Sequence, residues 1–172
     1  QLAGRSIVAV RIGLIGAGSM GSLHARVIAT SDATELAWVA DPDRNVGAPV
    51  ADRYGSQWLA EPRTAGVDAI VIASPTQFHF DQAMHTISEG IPLLLEKPLA
   101  DNYSEASAIV DAAEAGGVPL MCGLLERFNP AVRTALEIAK EPLHVATMRH
   151  GPYANRIRTG VASDLLIHDV DL

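Results

Sequence analysis

Apolar, branched stretches alternate with segments of helical spacing through residues 1–125, and this alternation narrows the possible folds more than any other feature of the chain. "VAVRIGLIGAG" reads as a strand running into glycines, and "MGSLHARVIAT" as the helix behind it. "ELAWVADPD" is the next strand, ending at Asp41, followed by a short helix over 48–54 and a minor strand over 57–59. "VDAIVIASPT" is a further strand, with a helix over 78–89 that Gly90 closes by supplying a left-handed end. "IPLLLE", a helix over 104–115 with Gly116 at its end, and a sixth strand in "VPLMCGLL" complete the series. Strands apolar along their whole length suit burial on both faces, and strands joined through helices pair in parallel. The expected fold class is therefore α/β, a doubly wound parallel sheet.

From residue 126 the rhythm changes. "NPAVRTALEIAK" has helical spacing, "LHVATMRHG" alternates like a strand the first sheet does not need, and "SDLLIHDVDL" reads as a helix. Residues 126–172 are expected to begin a second, α+β domain that the chain leaves incomplete, since one strand and two helices bury too little surface to stand alone.

Composition removes several classes of function. With 13 Lys and Arg against 20 Asp and Glu, the net charge of −7 argues against nucleic acid as the main partner. No apolar run approaches the roughly 20 residues needed to cross a bilayer, so no membrane partner is expected. The single cysteine, Cys122, cannot form an intrachain disulfide, and no signal peptide is visible, so a cytoplasmic location is expected. Residue 1 is Gln rather than Met, which points to a trimmed start. His24, His85, His144 and His150 are scattered without ligand spacing, so no metal is expected. Cys122, Trp38 and Trp58 read as packing residues.

Between the first strand and the first helix stands Gly16-Ala17-Gly18-Ser19-Met20-Gly21. In a G-x-G-x-x-G turn the first glycine allows the tight bend, the second lets backbone approach a pyrophosphate, and the third lets helix and strand pack closely. The helix N-terminus adds positive potential. Asp41 lies twenty residues beyond Gly21 at the end of the second strand, where a carboxylate can accept bonds from an adenosine ribose. It also repels a 2′-phosphate, so NAD is expected ahead of NADP, with Arg44 nearby keeping the alternative open. The competing reading makes these an ordinary turn and a loop aspartate.

"PLLLEKPLA" runs an apolar strand directly into Glu96, Lys97 and Pro98. In an open parallel sheet, ligands bind beyond the carboxyl ends of the strands, so Glu96 and Lys97 should face the cofactor cleft. Otherwise they are an ion pair capping a strand. Pro98 keeps Lys97 out of the helical region.

The three glycines, "SPTQFH" after the fourth strand and "EKP" after the fifth together resemble the Gfo/Idh/MocA oxidoreductases. The resemblance implies a Rossmann domain over 1–125 and the start of a substrate and oligomerisation domain over 126–172. It places Lys97 by the nicotinamide and the substrate hydroxyl, Glu96 on the nicotinamide half, and Ser74, Thr76 and His79 along the cofactor. It further implies a homo-oligomer in the full-length form, often joined through the C-terminal sheet.

Asp164, His168 and Asp171 are spaced four and three apart, which puts them on one helix face. By spacing alone they could equally be a solvated surface. By the family match, His168 is the candidate general base, a role its near-neutral titration range suits, and Asp164 its orienting or substrate-binding partner. Leu166 stands near the family's usual glycine. "ERFNPAV", "GPYANRIR" and "DLLIHDVDL" are similar to the subgroup of UDP-N-acetylglucosamine 3-dehydrogenase-like members, although Leu124 departs from the histidine often found after the glycine. The substrate would be a sugar, and within that subgroup a nucleotide sugar, with Arg127, Arg156 and Arg158 as diphosphate contacts. Those arginines could also be plain surface residues. Two other functions fit the same residues: an NAD-dependent glycosidase of the family, and a non-catalytic NAD-binding module.

Overall fold

The structure is a computed structural model that describes residues 9–141, 143, 144, 146–148 and 166–171. The chain divides into two compact units, Gln1–Cys122 and Gly123–Leu172.

The first unit is built on six parallel strands: β1 (Val10–Ile15), β2 (Thr34–Ala40), β3 (Gln57–Leu59), β4 (Ala69–Ile72), β5 (Leu93–Leu95) and β6 (Leu120–Cys122). Their order in space is β3-β2-β1-β4-β5-β6. The chain thus winds outward from β1 in one direction, returns, and winds outward from β4 in the other. Ligands of such sheets bind where the order reverses, here between the ends of β1 and β4.

Alternate strand residues feed two cores. Leu14, Leu36, Val39 and Val71 pack against Ala25 and Ile28 of helix α1 (Ser19–Thr30) and Ala51 of α2 (Arg44–Arg53). On the opposite face Ile15, Ile70, Ile72 and Leu95 pack against Ala83 and Ile87 of α3 (His79–Ser88) and Ile109 and Ala113 of α4 (Tyr103–Gly116). Each such Leu or Ile, fully removed from water, stabilises the fold by about 1.5–3 kcal/mol. Because both faces are covered, the strands show no polar alternation.

Trp38 is 1% exposed and lies across the second face, where Gly13 makes room for it. A Cβ on Gly13 would stand 2.2 Å from the indole Cζ2, so any other residue there would displace the ring.

Helix α2 begins earlier than the expected 48–54. The Asp43 side chain accepts from the Asn45 N–H and starts the helix at Arg44, which then carries Pro49 in its interior. Gly47 and Pro49 obscured this start. Helix α4 likewise runs one residue further at each end than expected. Asn102 caps it through Glu105 N–H, and Gly117 rather than Gly116 takes the left-handed conformation, at φ 62°. Gly90 does the same after α3, at φ 71°.

In the second unit a short 3-10 turn (Leu125–Phe128) leads into α5 (Pro130–Ile138), where the expected helix fell; Asn129 caps it by accepting from Ala131 N–H. The expected strand over 143–151 is not seen at residues 143, 144 and 146–148, and its other positions lie outside the described residues. Of the expected last helix, α6 (Ile167–Val170) is described.

Candidate cofactor and catalytic site

The carboxyl ends of the central strands are level. Gly16, Asp41, Ala73 and Glu96 each follow the last residue of β1, β2, β4 and β5, and each donates its backbone N–H to the last carbonyl of a neighbouring strand. The acceptors are Ala40, Leu59, Ile15 and Ile72, at 2.8, 3.0, 2.8 and 3.0 Å. The glycine turn, Asp41, the loop after β4 and Glu96 are therefore brought to one edge of the first unit.

The glycine turn is shaped by what its residues lack. Gly16 has φ +88°, and a Cβ there would come 2.7 Å from the Ser74 backbone nitrogen. At Gly21 a Cβ would reach 1.9 Å from the Gly16 carbonyl oxygen, a clash with backbone that no rotamer relieves. At Gly18, among the described residues and apart from its chain neighbours, nothing lies within 4 Å of the position a Cβ would take. Two glycines close the turn against the protein, and the middle one leaves its outer surface open.

Gly18 is the N-cap of α1 and supplies no side-chain cap to the first-turn N–H groups. Ser19 is exposed and Met20 half-buried. Open N–H groups at the start of a twelve-residue helix suit an anionic ligand. The open Gly18 face and uncapped helix start fit the pyrophosphate of a dinucleotide.

Asp41 is fixed from two sides. Its Oδ2 accepts from Ala17 N–H and its Oδ1 from Asp43 N–H, both at 2.9 Å. The carboxylate thus ties the glycine turn to the end of β2, and each oxygen keeps lone-pair capacity for a ribose hydroxyl. Trp58 Nε1 donates to the Asp41 carbonyl at 3.1 Å. The Arg44 guanidinium lies 5.3 Å from the centre of the Trp58 ring, a cation–π contact.

Ser74 Oγ donates to Gln82 Oε1 at 2.6 Å, and Thr76 opens a 3-10 turn (Thr76–Phe78) leading into α3. His79 is 1% exposed, with Nε2 2.9 Å from the Ser74 carbonyl and Nδ1 2.9 Å from the Pro98 carbonyl. Both ring nitrogens are engaged by backbone. His79, expected along the cofactor, links the loops that follow β4 and β5.

Glu96 is 5% exposed. Its Oε1 lies 2.7 Å from His24 Nε2, and its Oε2 accepts from the Lys97 N–H at 3.3 Å. Lys97 is half-buried, and the Lys97–Pro98 peptide is cis. The sequence reading left His24 unassigned, yet a signal was present. His24 is three residues after Gly21 and four before Ile28, on the α1 face that buries Gly21, Ala25 and Ile28 against the sheet.

In the second unit, Arg127 meets Asp171 edge-on. Its Nε lies 2.9 and 2.7 Å from the two carboxylate oxygens, and its Nη2 also donates to Oδ1. The Arg127 hydrogen bonds, and to a lesser degree its charge and that of His168, hold the Asp171 carboxyl below the usual aspartate range, against the opposing effect of burial. His168 Nδ1 is buried and has no hydrogen-bond partner among the described residues. Asp164, Arg156 and Arg158 lie outside the described residues. Among the described residues, no three His, Cys, Asp or Glu side chains are grouped to hold a metal, and no helix is long and apolar enough to cross a membrane.

A parallel sheet reversing its strand order beside a glycine turn, with a carboxylate at the end of the second strand, defines a dinucleotide-binding fold. The family model described as the oxidoreductase family with NAD-binding Rossmann fold matches residues 10–124, and the chain belongs to that family, the Gfo/Idh/MocA oxidoreductases. Among its relatives, UDP-N-acetylglucosamine 3-dehydrogenase of Acidithiobacillus ferrooxidans is 31% identical over 170 residues, covering 96% of this chain and 54% of the relative. The solved structure of that enzyme, GnnA, matches with a TM-score of 0.87 at 30% identity, over 95% of this chain and 55% of its own. The NAD-dependent scyllo-inositol 2-dehydrogenase of Bacillus subtilis is 30% identical over 179 residues, covering 95% of this chain and 52% of the relative. GenD2 from gentamicin A biosynthesis, solved in complex with NAD, matches with a TM-score of 0.84 at 28% identity, over 98% of this chain and 54% of its own. The chain spans about half the length of these relatives.

Proposed function

We propose that the chain carries the cofactor face and part of the substrate site of an NAD-dependent dehydrogenase acting on a secondary hydroxyl of a sugar or polyol, with a nucleotide sugar as the substrate class. The observation that carries this reading is the level strand-end edge, on which the glycine turn, Asp41, the Ser74 loop and the Glu96–Pro98 turn all stand. Relatives named as inositol and UDP-N-acetylglucosamine dehydrogenases support a sugar or polyol hydroxyl. The motifs around Arg127, Arg156 and Arg158 favour the nucleotide-sugar branch.

Gly18 and the first turn of α1 would hold the pyrophosphate, Asp41 the adenosine ribose, and Glu96 the nicotinamide half. NAD supplies the acceptor for the hydride leaving the carbinol carbon. Lys97 stabilises the substrate oxygen as its proton departs. His168 takes that proton, with Asp164 orienting the imidazole or binding the substrate. Asp41 disfavours a 2′-phosphate, so NAD is preferred to NADP.

Titration of the chain with NAD and NADP, followed by NADH formation on adding UDP-N-acetylglucosamine, tests the reading. Saturable NAD binding with sugar-dependent NADH supports it. Release of free sugar from a glycoside without net NADH would move the assignment to a glycosidase, and binding with no turnover on any sugar or polyol to a binding module.

A further inference from the structure

Two histidines approach the turn carrying Lys97 from opposite faces of the sheet. His24 belongs to α1, which packs on one face, and His79 opens α3, which packs on the other. His24 grips the residue before Lys97, the Glu96 carboxylate, at 2.7 Å, with side chains only 17% and 7% exposed. His79 grips the residue after it, the Pro98 carbonyl, at 2.9 Å. Its other nitrogen meets the Ser74 carbonyl at the same distance, so one ring spans the loops that follow β4 and β5.

We propose that His24 and His79 are positioning residues that clamp the turn at 96–98 from both sides, so that Glu96 and Lys97 are presented to the nicotinamide half of the site in one fixed arrangement. The inference deepens the function proposed above and rests on its assignment of that turn. The physical case starts from the loop. A residue leaving a strand end regains backbone freedom that must be suppressed, and a reactive amine on such a loop is poorly placed. Anchoring the residues on either side removes that freedom. The anchors differ in kind. His79 meets two carbonyl oxygens, which only accept, so its neutral ring donates to one of them at a time, and it is shielded from water that could replace it. His24 meets a carboxylate whose second oxygen already takes the Lys97 N–H. Its bond therefore orients the carboxylate as well as holding it.

Calorimetric affinities for NAD and for ADP-ribose, measured on the chain itself and on His24→Asn and His79→Gln, separate this role from a general structural one. ADP-ribose lacks only the nicotinamide. The ratio of the two affinities therefore reads the nicotinamide half alone. Each substitution is expected to lower that ratio about tenfold while leaving ADP-ribose binding within about twofold. Equal losses for both ligands, or an unchanged ratio, would overturn the clamp. Should His79→Gln fail to fold, the more exposed His24→Asn decides alone. If the unsubstituted chain binds both ligands equally, the assignment of the turn to the nicotinamide half is wrong, and the clamp falls with it.

Discussion

At the glycine turn bare backbone sets the shape, whereas at the Glu96–Pro98 turn buried side chains do. The first corner closes because Gly16 and Gly21 have no Cβ to collide with Ser74 and Gly16 backbone, and it stays open outward at Gly18. The second is held by His24 on Glu96 and His79 on Pro98, through hydrogen bonds spanning 72 and 19 residues. The contrast follows from what each corner would handle. A pyrophosphate is bound by N–H groups at close range, which requires bare backbone. A reacting hydroxyl needs a cation at a fixed point, which requires support for a long flexible side chain.

Substitution should expose this difference, beginning with the largest effect. Gly21→Ala forces a Cβ against the Gly16 carbonyl. It is expected to cost about 3 kcal/mol of stability in thermal or urea unfolding and to abolish NAD binding with it. Lys97→Ala is the opposite case. Turnover should fall about 100-fold while NAD affinity changes less than about threefold, read from steady-state kinetics and calorimetry. A parallel loss of affinity would mean that Lys97 is part of the cradle. Asp41→Ala removes an acceptor from Ala17 and Asp43 N–H and, under the proposed function, the charge that would repel a 2′-phosphate. It is expected to cost about 1–2 kcal/mol and to shift the ratio of NAD to NADP affinity toward NADP.

The smallest effect belongs to the second unit. Asp171 is held below its ordinary range by Arg127 first of all, so its folded pKa is depressed. The stability it contributes is present above the ordinary aspartate value of about 3.9 and is lost as pH falls through the lowered folded value. A carboxyl-carbon NMR titration should place the Asp171 midpoint below that of an exposed aspartate, and Arg127→Ala should raise it.

The comparison also explains what could be read in advance. The six strands and the glycine turn were legible because each is a local pattern, an apolar run or a fixed glycine spacing. The start of α2 was not, because Asp43 outweighs the breaking signals of Gly47 and Pro49. The sequence does not show that His79 meets the Ser74 and Pro98 carbonyls, since the second of these partners stands 19 residues away on another loop. His24 was passed over because its partner is 72 residues away, and only the buried face of α1 hinted at it. Asp171 was grouped with Asp164 and His168 on one face, while its strong contact is Arg127, 44 residues earlier.

Gly18→Ala tests the central claim most directly. Among the described residues its Cβ would meet nothing within 4 Å beyond its chain neighbours, so the described part of the turn does not require glycine there. Stability is expected to change by no more than about 1 kcal/mol while calorimetric NAD affinity falls tenfold or more, because under the proposed function the new methyl group stands where the pyrophosphate would approach. Undiminished NAD binding by this variant would contradict it, and would show that the open face of the glycine turn is not where the dinucleotide sits.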